Sequence, residues 1–112
     1  MNKVILYARL CADPELRYTP EGTACLKLRV ANNRRCKDAK GAAREETTFA
    51  DVTFWARTAE IVGQYCRKGS SLLIEARLKT EEWEKDGKKH SKLVLVAENV
   101  TLTGKKDQAD VQ

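Results

Sequence analysis

Aromatic rings an even number of positions apart share one face of a β-strand, and the stretch Thr47 to Arg57, TTFADVTFWAR, carries two of them. Strand side chains alternate between faces with period 2. Thr47, Phe49, Asp51, Thr53, Trp55 and Arg57 fall on one side; Thr48, Ala50, Val52, Phe54 and Ala56 fall on the other. The small and apolar set suits a core, which leaves Phe49 and Trp55 outward beside Arg57. A chain gains little by holding rings in water, so rings set among charges imply a partner with flat faces. Nucleobases are such a partner. Stacking a base on an aromatic side chain contributes about 1–3 kcal/mol and tolerates any sequence, because every base has a π-face.

A third ring, Trp83, ends another alternating stretch from Ser71, in which Leu72, Ile74, Ala76 and Leu78 point in and Arg77, Lys79, Glu81 and Trp83 share the opposite face. Cations near these rings can follow a phosphate backbone and release its counterions. The candidates are Lys27, Arg29, Arg34, Arg35, Arg57, Arg77 and Lys79, with Lys85, Lys88 and Lys89 at a turn. Arg34 and Arg35 meet no acid along the chain until Asp38, which favours a phosphate role. Blander readings stand beside these. Phe49 and Trp55 could pack beneath a loop or at a subunit contact, and Trp83 could cover a barrel end. The turn lysines, interrupted by Glu84 and Asp86, could be only a solvated hairpin. Tyr7, Tyr18 and Tyr65 are expected in the core or an interface, and His90 at an exposed strand start.

Composition agrees with a polyanionic partner without demanding one. At 112 residues the chain suits one domain, and Lys+Arg exceeds Asp+Glu by 21 to 16, giving a formal charge of +5. No apolar run approaches the roughly 20 residues of a membrane span. The opening MNKVILYARL enters a strand pattern at once and is too short for a signal peptide. Cys11, Cys25, Cys36 and Cys66 form no CxxC pair and have only His90 to help them, so reduced, structural thiols are expected and no metal or cofactor. Catalysis finds no support: there is no HExxH, no glycine-rich phosphate loop and no paired carboxylates for acid–base work.

The elements that must carry these residues follow from the same alternation. Asn2 to Cys11 reads as a strand with Val4, Leu6, Ala8 and Leu10 on one face. Turns at Asp13-Pro14 and Pro20-Glu21-Gly22 bracket a short extended piece, Glu15 to Tyr18. Ala24 to Ala31 buries Ala24, Leu26, Leu28 and Val30 and exposes Cys25, Lys27 and Arg29. Asn32 to Glu46 is polar and reads as a long mobile loop. After the Thr47–Arg57 strand, Thr58 is placed to cap a short helix with Glu60 in its first turn. Ile61, Val62, Tyr65 and Cys66 line one face of that helix, and Gly69 stops it. Ser71 to Trp83 and His90 to Leu102 are strands joined at Lys85-Asp86-Gly87-Lys88, whose Asp-Gly pair suits a hairpin turn. TGKKDQADVQ lacks periodicity and is expected to be disordered. Five strands with one helix between the third and fourth match an OB-fold, an all-β five-stranded Greek-key barrel. Pattern alone also admits an SH3-like barrel or a small sandwich.

Specific motifs narrow this. The opening MNKVILYARLCADPELRYTPEGTA, with its Asn-Lys-Val strand, Asp-Pro-Glu and Arg-Tyr-Thr-Pro-x-Gly, resembles that of bacterial single-stranded DNA-binding proteins. The likeness continues through EETTF, AEIVGQYCRKGS and LIEARLKTEEW and covers about residues 1 to 102. It implies an OB-fold domain over 1–103 followed by a tail at 104–112. It also implies a homotetramer, or a dimer, that wraps single-stranded DNA without sequence preference in replication, recombination and repair. That setting is cytoplasmic, at the nucleoid, with no membrane. Family stacking positions match Phe49, Trp55 and Trp83, and basic positions match Arg17, Arg57, Arg67, Lys68 and Lys79, which adds Lys68 to the phosphate candidates. A fourth family aromatic falls at Cys36. Glu81-Glu82 and Asp51 replace basic residues, and Ala50 replaces a histidine near the family's subunit contact. The acidic tail that recruits partner proteins has no counterpart in TGKKDQADVQ. These departures keep open an OB-fold adaptor of the primosome machinery with weak nucleic-acid binding; single-stranded RNA is a further alternative ligand, because stacking and phosphate contacts do not read the 2′-OH.

Overall fold

Apolar alternation at the N-terminus builds β1 (Val4–Leu10) in the computed structural model, which describes residues 1–103; the tail expected at 104–112 lies outside the described residues. The short β2 (Arg17–Tyr18) follows, then β3 (Ala24–Lys37), β4 (Ala43–Trp55), α1 (Ala56–Tyr65), β5 (Ser71–Lys85) and β6 (Lys88–Leu102). The five long strands close a barrel. Antiparallel ladders join β1 to β5, β5 to β6 and β3 to β4. The ring is completed by β1 against β3 at Arg9 and Leu10, and by a parallel pairing of β4 with β6 at Val52↔Leu95 and Thr53↔Val96. Closure leaves few unpaired edges. The fold is the expected OB barrel, with α1 between the third and fourth long strands.

Its interior is the set that alternation selects. Leu10, Leu26, Val30, Val52, Phe54, Leu72 and Ile74 are fully buried, and α1 adds Ala59 and Val62. Cys66 joins them just past the helix, where burial pushes its thiol above the usual range against a smaller opposing pull from Arg67. It acts there as a small hydrophobe. Among the described residues no helix is long and apolar enough to cross a membrane.

Several expectations are corrected. The polar segment from Asn32 to Glu46 is not a loop: β3 and β4 continue through it as a paired ribbon from Asn32↔Thr48 to Lys37↔Ala43, turning only at residues 38–42. Cross-strand partners supply what the missing apolar residues could not, with Arg34 facing Glu46 and Arg35 facing Glu45. Arg34 pairs with Glu46 at 3.6 Å, so the apparent lack of nearby acids held only along the chain. The third long strand ends at Trp55, and Arg57 belongs to α1. The helix starts at Ala56 with Trp55 at its N-cap, and the Thr58 hydroxyl donates to the Trp55 carbonyl without capping it. Glu60 lies outside the first turn, and the helix ends before Cys66, so Gly69 shapes the following turn instead, at φ 90°. Thr53 is buried although it faces outward, while Leu78 is exposed although its face is the inner one, because the barrel opens there. Of the core or interface expected for Tyr7, Tyr18 and Tyr65, the core is ruled out, since all three are exposed on the single chain. The hairpin turn matches its sequence, with Asp86 and Gly87 both at positive φ.

Candidate nucleic-acid interface

Register aligns the outward side chains of four strands into rows across one sheet face. Lys27 opposes Thr53, which lies beside Val96, which opposes Arg77. The next row is Arg29 and Asp51, then Val94 and Lys79; beyond it Lys92 opposes Glu81 and His90 opposes Trp83. Thr53, Val94 and Val96 form a buried centre flanked by the long cationic side chains, whose stems cover it.

Rings border this face. Phe49 is 52% exposed, Trp55 42% and Trp83 43%. Trp55 is held by the last β3–β4 pair, opposite Cys25. The chain then turns abruptly into α1 through Ala56, at φ 52°. Phe49 sits opposite Ala31, and the Arg29 guanidinium lies 5.0 Å from its ring centroid. Trp83 is carried on the β5–β6 ribbon. Opposite Glu75 and Ala76, near the end of the pairing of β5 with β1, β6 carries a bulge at Glu98, between the pairs Glu75↔Asn99 and Ala76↔Ala97, and such a bulge bends and twists a strand.

The cations are not equivalent. Among the described residues Lys27, Arg35, Arg57, Lys68, Lys79, Lys85, Lys88 and Lys89 make no ion pair. Arg77 pairs with Glu98 at 3.7 Å, and Glu98 also meets Lys3 at 3.9 Å. Asp51 sits between Arg29 at 3.7 Å and Lys92 at 3.3 Å. Lys27, Arg29, Arg77 and Lys79 thus share the face with Phe49, Trp55 and Trp83, and Lys85 and Lys88 extend it to the ribbon tip. Lys89 pairs in register with Glu84 on the ribbon's other side, and Arg34 and Arg35 ride the β3–β4 ribbon. Arg57 lies in the first turn of α1. Lys68 lies in the turn after it, its backbone N–H donating to Asp13 Oδ1 at 2.7 Å, so the fold does not bring these two onto the sheet face.

Sequence reasoning missed Lys92. Its signal was there: in HSKLVLV, His90, Lys92, Val94 and Val96 alternate onto the face that holds Trp83. A hollow of about 510 Å³ lined by Lys27, Lys79, Trp83 and Lys92 lies on this surface. The arrangement offers exposed π-faces at its border, cations between them and a shallow apolar floor.

Comparison with known proteins gives a family and a fold. Residues 1–103 match the model of the single-strand binding protein family. The chain is 46% identical over 106 residues to a single-stranded DNA-binding protein of Wolinella succinogenes, covering 94% of this chain and 65% of that one. It is 41% identical over 112 residues to one of Aquifex aeolicus, covering all of this chain and 76% of that protein. The crystal structure of the wild-type single-stranded DNA binding protein from Thermus aquaticus superposes with a TM-score of 0.80 at 36% identity, over 96% of this chain and 52% of that one. The chain therefore spans about two thirds or less of the Wolinella protein and about half of the Thermus one.

Proposed function

This chain belongs to the single-strand binding protein family, and from that premise we propose that it binds single-stranded DNA without sequence preference and protects it during replication, recombination and repair. Bases stack on Phe49, Trp55 and Trp83. Lys27, Arg29, Lys79 and Lys92 meet the phosphates across the sheet face, Arg77 joins them by leaving Glu98, and Lys85 and Lys88 extend the track. Arg34, Arg35, Arg57, Lys68 and Lys89 are second-rank contacts, reached by a strand that leaves the face. The role is non-catalytic and cytoplasmic, at the nucleoid.

One observation carries this reading: three half-exposed rings border a single face whose charged side chains are mostly cationic. Stacking and counterion release need no base-specific hydrogen bonds. Replacing Trp55 and Trp83 together by Ala should weaken binding to oligo-dT by roughly thirtyfold or more, since two stacks contribute about 1–3 kcal/mol each. Circular dichroism should stay unchanged, because neither ring is buried. Parental affinity in the double variant would remove the stacking mechanism. Competition between oligo-dT and oligo-U tests RNA as the preferred ligand, which would show as the tighter competitor.

We also propose self-association to a tetramer. Ile5 and Tyr7 are exposed on β1, and Leu78 and Leu93 are exposed beside a groove of about 370 Å³ lined by Val4, Leu6, Ala50 and Phe49. Apolar surface of that kind suits a second copy of the chain.

A further inference from the structure

Trp83 and His90 oppose each other across the β5–β6 ribbon, with ring centroids 5.5 Å apart and planes 19° from parallel. The pair stands where the ribbon has left the barrel, since β1 reaches β5 only as far as Ala76 and β4 meets β6 only at Leu95 and Val96. Hollows flank the stack. The 510 Å³ hollow takes in Trp83 with Lys27, Lys79 and Lys92, and one of about 370 Å³ is lined by Glu82, Trp83, Glu84, Lys89, His90 and Ser91.

An indole on an exposed ribbon has rotamer freedom that must be lost when a base docks. A ring already seated against one face removes much of that freedom beforehand and leaves the other face for the base. Imidazole is itself a surface on which unstacked bases lie. We infer that His90 belongs to the nucleic-acid site: it positions the Trp83 indole and adds a second ring to that platform. The inference rests on the single-strand-binding reading above.

Charged groups surround the pair: Glu81, Lys85, Lys88 and Lys92 on the same face by register, and Glu82, Glu84 and Lys89 at the hollow.

The test measures anisotropy of labelled oligo-dT at pH 8.0 for the parent, His90→Ala and His90→Phe, each also in a Trp83→Ala background. His90→Ala should bind about three- to tenfold more weakly while His90→Phe stays near the parent, as expected for loss and retention of a stacked ring. In the Trp83→Ala background the cost of His90→Ala should shrink, because the indole it positions is gone. Parental binding by His90→Ala, failure of phenylalanine to rescue, or an undiminished cost without Trp83 overturns the inference and leaves the functional reading intact. A parent that does not bind oligo-dT overturns both.

Discussion

Asp51 shows how one residue can set the strength of a whole surface. Its carboxylate stands in the middle of the cationic face, 3.3 Å from Lys92 and 3.7 Å from Arg29. Both pairs are substantially solvent-exposed, and such pairs contribute about 0–1 kcal/mol each. They matter for binding all the same, because a phosphate must displace the carboxylate to reach either cation. Asp51→Asn keeps the shape of the side chain and removes the competitor. Affinity for oligo-dT should rise by roughly three- to tenfold, given the exposed-pair energies. The plot of log affinity against log salt should steepen by about 0.7 for each cation freed. An unchanged slope would mean that Arg29 and Lys92 do not meet the backbone. The acid itself was plain in the sequence, opposite in sign to what the family resemblance led one to expect. Its two partners were not, since Lys92 lies 41 positions away and pairs only after the barrel closes.

At the scale of elements, the junction between β4 and α1 carries a cost. Ala56 sits at φ 52°, in the left-handed region where a Cβ is disfavoured by about 1–2 kcal/mol. The turn there ends the strand after Trp55, keeps that ring on the outer face and sends Arg57 into the helix. Ala56→Gly should relieve the strain and raise stability to urea by about 1 kcal/mol despite the lower helix propensity of glycine. A loss of stability would show that α1 needs the alanine more than the turn needs the freedom. This junction also explains the misplaced helix start. Period-2 alternation runs without a break through Ala56 and Arg57, and a side-chain cap at Thr58 is the stronger local signal, whereas the turn is imposed by closing the barrel. The β3–β4 ribbon was missed for a related reason. Arg34, Arg35, Glu45 and Glu46 carry no apolar period, yet the antiparallel ladder brings opposite charges face to face.

For the whole molecule, the question is how much surface one chain presents alone. Leu78 and Leu93 are exposed at the groove, Ile5 and Tyr7 are exposed on the other face of β1, and the same sheet carries the rings. A tetramer would cover the first set and array several cationic faces for one strand to follow. Light scattering should give a mass of about four chains of 12.6 kDa each without DNA. It should show no dissociation when oligo-dT is added. A monomer at micromolar concentration would remove self-association from the proposal and leave each face to act singly.

The sequence by itself determined most of the strands and the residues they bury, because a period of two with Leu, Val, Ile and Phe on one side leaves a strand little choice about which face to bury. For the same reason it determined that Phe49, Trp55 and Trp83 stand outward. Tertiary structure alone decided which distant side chains meet: Asp51 with Lys92, Arg34 with Glu46. Outside a tight hairpin, register between strands is a property of pairing, and pairing is fixed by the packing of the closed barrel.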